Sequence, residues 1–167
     1  MPNDGQKFRI DLDKWIEEEV PKKVVKLQRR IVAEALTGIV MMTPVGDHRK
    51  WKSNIMRARR AGMSGRKAGG GEPLPRGYVG GHARKNWQVR IGSRVVSEKP
   101  GTDKSGQTAI DTGINVAASI RKPTVAYIIN PLPYMDALEH GHSRQAPQGM
   151  VRQTVARLNS KYRRVKE

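Results

Sequence analysis

Ile129-Asn-Pro-Leu-Pro-Tyr-Met-Asp-Ala-Leu-Glu-His-Gly-His-Ser-Arg-Gln-Ala-Pro-Gln-Gly-Met-Val-Arg152 is dense in residues that fix a backbone conformation. Pro131 and Pro133 restrict φ and set an extended entry. Tyr134, Met135 and Leu138 then share one helical face at spacing i, i+1, i+4. Gly141 stands where a glycine closes a helix in the left-handed region. Ser143 to Gly149 reads as a second turn, closed by Pro147 and Gly149, and a new apolar face opens at Met150. The stretch therefore links a strand to two short helices as a shaped surface rather than a passive linker.

The segments on either side extend this reading. Thr124 to Ile129, Thr-Val-Ala-Tyr-Ile-Ile, is β-branched and almost wholly apolar, which predicts a central strand. Val151, Thr154, Val155 and Leu158 predict a C-terminal helix from about Gln148 to Asn159. Upstream, Ile110, Ile114, Ala117, Ala118 and Ile120 predict a helix over Gln107 to Ile120 despite Gly113, ended by Lys122-Pro123. Asn86 to Ile91 alternates Trp87, Val89 and Ile91 with polar residues, a strand with one buried face. Gly92 and Ser93 turn it, Arg94 to Ser97 reads as its return strand, and Pro100 to Gly106 is a loop.

The longest periodic segment lies near the N-terminus. Ile16, Val20, Val24, Leu27, Ile31, Ala35, Ile39 and Met42 recur in steps of three or four, predicting an amphipathic helix from about Leu12 to Met42. Asp11 or Asp13 is placed to cap it, and Glu17, Glu18 and Glu19 lie near its positive end. Pro21 either kinks this helix or opens a second one. Thr43-Pro44 ends it, because a residue before proline avoids the α region. The fold class read from these elements is α+β. A long N-terminal helix packs on a small, mainly antiparallel sheet, with short helices at the C-terminal end. The chain reads as one domain, 1–167, with a frayed N-terminus over 1–10 and a basic tail over 160–167.

Residues 46–81 break the pattern and read as a long flexible insertion. Arg49, Lys50, Lys52, Arg57, Arg59, Arg60, Arg66 and Lys67 are eight basic residues with no acid among them, and eight glycines follow between Gly62 and Gly81. A loop of this length is either a solvated insertion or an arm that orders on a polyanion or a neighbouring subunit. The eight basic residues are the candidates for that contact.

The chain of 167 residues carries 32 Lys and Arg against 15 Asp and Glu, a net charge of +17. Such a balance attracts polyanions, whether nucleic acid, acidic protein or anionic membrane surface. It has no cysteine, which excludes disulfides and thiolate metal sites. No apolar run is long enough for a membrane span, and the N-terminus has no signal-peptide core. A soluble protein of a reducing compartment, most simply a cytoplasm, is expected, without a cofactor.

No catalytic constellation stands out. His140-Gly-His142 beside Glu139 offers metal-ligand chemistry, but no third spaced ligand accompanies the pair, and structural or solvent-facing histidines are the plainer reading. Ser143 beside His142 lacks the geometry of a triad. Gly69-Gly-Gly71 precedes Glu-Pro rather than a helix, so it is not a phosphate loop. No groove-reading helix or aromatic strand motif is evident, so contact with DNA would be phosphate attraction without sequence reading.

Three motifs together resemble the neck proteins of tailed bacteriophages, the small head–tail joining or tail-completion proteins. They are Thr43-Pro44-Val45, then Gly80-Gly81-His82-Ala83-Arg84-Lys85-Asn86-Trp87-Gln88-Val89, and then Tyr127 with Asn130-Pro131-Leu132-Pro133-Tyr134 through Leu138-Glu139-His140-Gly141-His142-Ser143 to Gln145-Ala146-Pro147-Gln148-Gly149-Met150-Val151. The resemblance covers about two-thirds of the chain. Family members hold the first two motifs close in sequence, whereas here Gly46 to Tyr78 intervene. Asn130-Pro131 also departs from the usual polar pair before Leu-Pro-Tyr.

The resemblance implies a non-enzymatic virion protein, made in the host cytoplasm. It implies a homo-oligomeric ring, commonly six-fold, between a portal-side connector and the tail tube or tail terminator, with DNA passing through the lumen and no membrane partner. Leu132, Tyr134, Leu138, His142, Gln145 and Met150 are the candidate subunit-interface residues, because aromatic and apolar anchors dominate interfaces; the plainer alternative is that Tyr134 and Leu138 pack on the subunit's own sheet. The alternatives are a small DNA-binding protein without sequence preference, resting on the charge, and a metal-dependent enzyme using Glu139, His140 and His142.

Overall fold

The structure, a computed structural model, describes Arg9 and residues 11–46 and 79–163. Helical backbone runs from Asp11 through a π-helical turn, Trp15–Glu19, into α1 (Val20–Met42). Then come α2 (His82–Lys85), β1 (Gln88–Ile91), α3 (Gln107–Ala118), β2 (Ala126–Ile129), α4 (Met135–Glu139) and α5 (Val151–Tyr162). The chain is α+β, as its periodicities indicate. Among the described residues, no helix is long and apolar enough to cross a membrane.

Pro21 neither ends nor separates the long helix. The Val20 N–H bonds the Trp15 carbonyl one residue beyond the α-helical distance. A single widened turn of this kind is a usual accommodation of a disrupted ladder next to proline. Asp11 and Asp13 lie within helical backbone, and Arg9 before them is also helical, so the expected cap is not where the carboxylates sit. The end at Thr43 is as expected: its backbone turns extended before Pro44, and its hydroxyl donates to the Ile39 carbonyl at 2.7 Å.

The C-terminal half of α1 packs against α3 and α5, and α3 packs against β1. Val32, Leu36, Ile39 and Val40 from α1 meet Ala109, Ile110 and Ala117 from α3, Trp87 just before β1 and Val89 within it, and Leu132, Met135 and Met150 from the C-terminal stretch in one cluster. Gly113 sits in mid-helix because a Cβ there would collide with the Leu36 and Val89 side chains. The helix propensity it forfeits, about 1 kcal/mol, is set against that close approach.

The strands pair antiparallel, Gln88 with Ile129, Val89 with Ile128, Arg90 with Tyr127 and Ile91 with Ala126. The inward set of Val89, Ala126 and Ile128 joins the core. On the outward set the Arg94 guanidinium lies over the Tyr127 ring, 4.9 Å from its centroid. Two expectations are corrected here. Arg94 to Ser97 is not a return strand: it runs without a ladder, with Val95 79% exposed. Thr124 to Ile129 is not a central strand: its strand part, Ala126–Ile129, forms half of a two-stranded sheet and is only half-buried, and Val125 before it is 58% exposed. Only Ala126 and Ile128 pack on the core, as an apolar run alone does not say which elements cover it.

The C-terminal helix starts and ends three residues later than its periodicity suggests, so residues 160–162 of the expected tail are helical.

Candidate functional site

The three motifs that carry the resemblance lie up to 100 residues apart and are hydrogen-bonded to one another in space. Thr43 Oγ1, fully buried, accepts from Trp87 Nε1 at 2.8 Å while donating to Ile39. Arg84 spreads its guanidinium over the end of α1, donating to the Thr43 carbonyl at 2.8 Å, the Met41 carbonyl at 3.0 Å and the Lys104 carbonyl at 2.7 Å. Those α1 carbonyls have no helical donor ahead of them, so a cation there completes the helix end. Burial lowers the Arg84 pKa, with Asp103 opposing. The Gln145 amide then clamps the chain leaving α1, donating to the Val45 carbonyl at 2.8 Å and accepting from its N–H at 3.4 Å. Asn130 donates to the Ala83 carbonyl at 2.8 Å.

A Cβ on Gly80 would collide with the Gly46 carbonyl, so the two glycines lie backbone against backbone. Gly46 and Gly80, on either side of residues 47–78, lie at adjoining points. The first two motifs, far apart in sequence, are thus neighbours in space. Arg49, Lys50, Lys52, Arg57, Arg59, Arg60, Arg66 and Lys67 lie outside the described residues.

Asn86, buried without exposure, holds the other side of α2. Its Nδ2 donates to the His82 and Lys99 carbonyls and its Oδ1 accepts from the Lys99 N–H at 2.7 Å. His82 in turn meets Glu98 at 2.9 Å. The 97–99 segment is therefore fastened beside β1 by side chains rather than by a strand ladder.

The Tyr134 to Met150 stretch is rigid for local reasons. After α4 the His142 N–H bonds the Ala137 carbonyl at 3.1 Å and the Gly141 N–H bonds that of Leu138 at 3.2 Å, with Gly141 at φ +83°. This pair of bonds is the Schellman closure that the glycine suggests. Glu139 reaches across the second turn and accepts from the N–H groups of Met150, Val151 and Arg152 at 2.8 to 2.9 Å, capping α5 from outside the helix. Burial would raise its pKa, but the three N–H groups and the Arg152 guanidinium outweigh it and hold the carboxyl below the ordinary range. Asp103 does the same for α3, accepting from Gly106 and Thr108 N–H at 2.8 Å; burial there too is outweighed by donors.

The six candidate interface residues divide. Leu132 is 4% exposed and Met150 is not exposed at all, and Leu138 packs on the same core. Leu132 and Met150 are therefore corrected to core residues of this chain, because the turns that shape the stretch fold them inward. Tyr134 is 43% exposed, and His142 and Gln145 are exposed, so these three carry the surface. Glu139, His140 and His142 do not converge as a ligand set. Glu139 faces the start of α5, while the Nδ1 atoms of His140 and His142 each lie 2.9 Å from a backbone carbonyl of α4. Among the described residues, no group of three or more His, Asp or Glu side chains is arranged to hold a metal ion.

Arg84 and Asp103 are structural anchors that periodicity does not mark. Asp103 has a local signal, Asp-x-Ser-Gly before a helical run; Arg84 has none, since its partners are remote carbonyls. Comparison with known protein families, with curated proteins and with solved structures gives no match to this chain.

Proposed function

We propose that this chain is a structural subunit of the neck of a tailed bacteriophage. Copies assemble into a ring, six-fold in the simplest case, between the head-side connector and the tail tube or tail terminator. DNA passes through the lumen by phosphate attraction without sequence reading. The observation that carries this reading is a knot of hydrogen bonds. The motifs resembling the neck family, Thr43-Pro44-Val45, the Gly80 to Val89 segment and Asn130 to Val151, join through Trp87, Arg84, Asn130 and Gln145 into one rigid unit. Tyr134, His142 and Gln145 present that unit outward, and a ring subunit needs one such fixed surface for its neighbour.

Electron cryo-microscopy of particles that contain this chain tests the reading. Ring density at the head–tail junction is expected. Density in the capsid shell or baseplate, or absence of the chain from particles, overturns it. The net charge of +17 favours a second reading, a DNA-binding protein acting as a monomer. A monomer that binds duplex DNA with a steep salt dependence and is absent from particles selects that reading instead.

A further inference from the structure

The helical segment before Val25 stands apart from the core. No residue of 11–24 is buried, and its apolar side chains face solvent: Leu12 is 42% exposed, Trp15 48%, Ile16 52% and Val24 42%. The first residues of the long helix that reach the rest of the described fold through side-chain bonds are Gln28, to the Thr124 carbonyl, and Arg29, to that of Ile120. A helical arm about 20 Å long thus projects with an apolar stripe of Leu12, Trp15 and Ile16 at spacing i, i+3, i+4. Its charge is opposite to that of the molecule. Asp11, Asp13, Glu17, Glu18 and Glu19 are a third of the 15 acids in the chain, set over residues 11–24 against Lys14, Lys22 and Lys23. Only Glu18 and Glu19 have an ion-pair partner among the described residues, Lys22.

The complement lies at the other end of the same helix. An open groove of about 470 Å³ runs between the C-terminal half of α1 and α5. Ala33, Met41, Met42 and Leu158 give it an apolar lining, with Met41 53% exposed, and Glu34, Arg157 and Lys161 stand along it. Lys161 is taken up by Glu34 at 2.7 Å, whereas Arg157 has no ion-pair partner among the described residues. From Val151 to Arg163 the chain has four basic residues and no acid.

We infer that the acidic, apolar arm of one subunit docks into the basic-edged groove between α1 and α5 of a second copy of this chain. The occupant cannot be the chain's own arm. Ile16 and Met41 are 25 residues apart on one continuous helix, on the order of 35 Å. A contact between two different surfaces is heterologous, and such contacts close into a ring when the rotation between copies permits. Trp15 is the natural anchor, since buried tryptophans carry much of the energy of an interface. The charges steer the encounter and set its direction. The inference deepens the ring reading and rests on it.

The absence of cysteine makes a disulfide a clean reporter. Full-length Ile16→Cys and Met41→Cys chains, both altered at exposed positions, are mixed and oxidised, with Val95→Cys as a second exposed partner for comparison. Ile16→Cys is expected to cross-link to Met41→Cys in roughly tenfold excess over Val95→Cys, the ratio that about 1.4 kcal/mol of preference gives. Trp15→Asp should abolish the excess. Glu17→Lys should weaken it, and Arg157→Glu in the partner should restore it. Equal reaction with both partners, or dominance of Ile16→Cys homodimers through paired arms, overturns the inference. Mass and imaging of the unmodified full chain report separately on the ring. Rings without the preferred cross-link overturn the arm contact alone; the cross-link in open chains without rings overturns the ring alone.

Discussion

The two halves of the long helix have the same apolar rhythm and opposite fates. Leu12, Ile16, Val20 and Val24 continue at helical spacing into Val32, Leu36 and Ile39. The second set is buried under α3, α5 and the first strand, while Leu12, Ile16 and Val24 face solvent. Periodicity reports that a helix has an apolar side; it does not report what covers it. A half that is covered within the chain contributes to folding, and a half that is not is available for association.

The largest test of this contrast is a pair of truncations. Leu36→Ala, at a fully enclosed position, should destabilise the isolated chain by about 2–5 kcal/mol. Ile16→Ala should stay within about 0.5 kcal/mol. Chemical denaturation of both variants checks this, and similar losses would mean that the arm is packed in the free chain. Next in size is the knot at the junction of α1. Thr43→Val removes the acceptor of Trp87 Nε1 and leaves a buried donor unmet, which should cost about 1–3 kcal/mol by the same measurement.

Glu139→Ala strips the cap from α5 and should cost about 1 kcal/mol. It should also loosen the start of α5, seen as faster amide exchange there.

The smallest effect is one of pH. Lys161 first and Arg30 second hold Glu34 from its ordinary 4.5 to about 2. The folded value lies below the unfolded one. The stabilisation is therefore complete above about pH 4.5 and is lost as the pH falls toward 2. Glu34→Gln should flatten that part of the acid-unfolding profile, and an unchanged profile would remove the ion pair from the account.

Much of this architecture was legible in the sequence. The long helix, the helix around Gly113, the strand after Trp87 and the Gly141 closure all follow from local period and turn chemistry. What was not legible depends on remote partners. The partner of β1 is β2, 35 residues on, rather than the adjacent Arg94 to Ser97. Leu132 and Met150 read as surface anchors until the turns around them are closed. Arg84 and Glu139 act on carbonyls and N–H groups that no nearby residue marks. The reason for Gly113 is a side chain on another helix.

In the proposed neck ring, copies of this chain join through the arm of one and the groove of the next. The most direct measurement is a cryo-microscopy map of the head–tail junction in particles that contain it. The account predicts a ring in which residues 11–24 of each subunit lie between α1 and α5 of its neighbour, with Trp15 enclosed. A map placing the chain outside the junction, or a ring in which this helical arm remains bare, would contradict it.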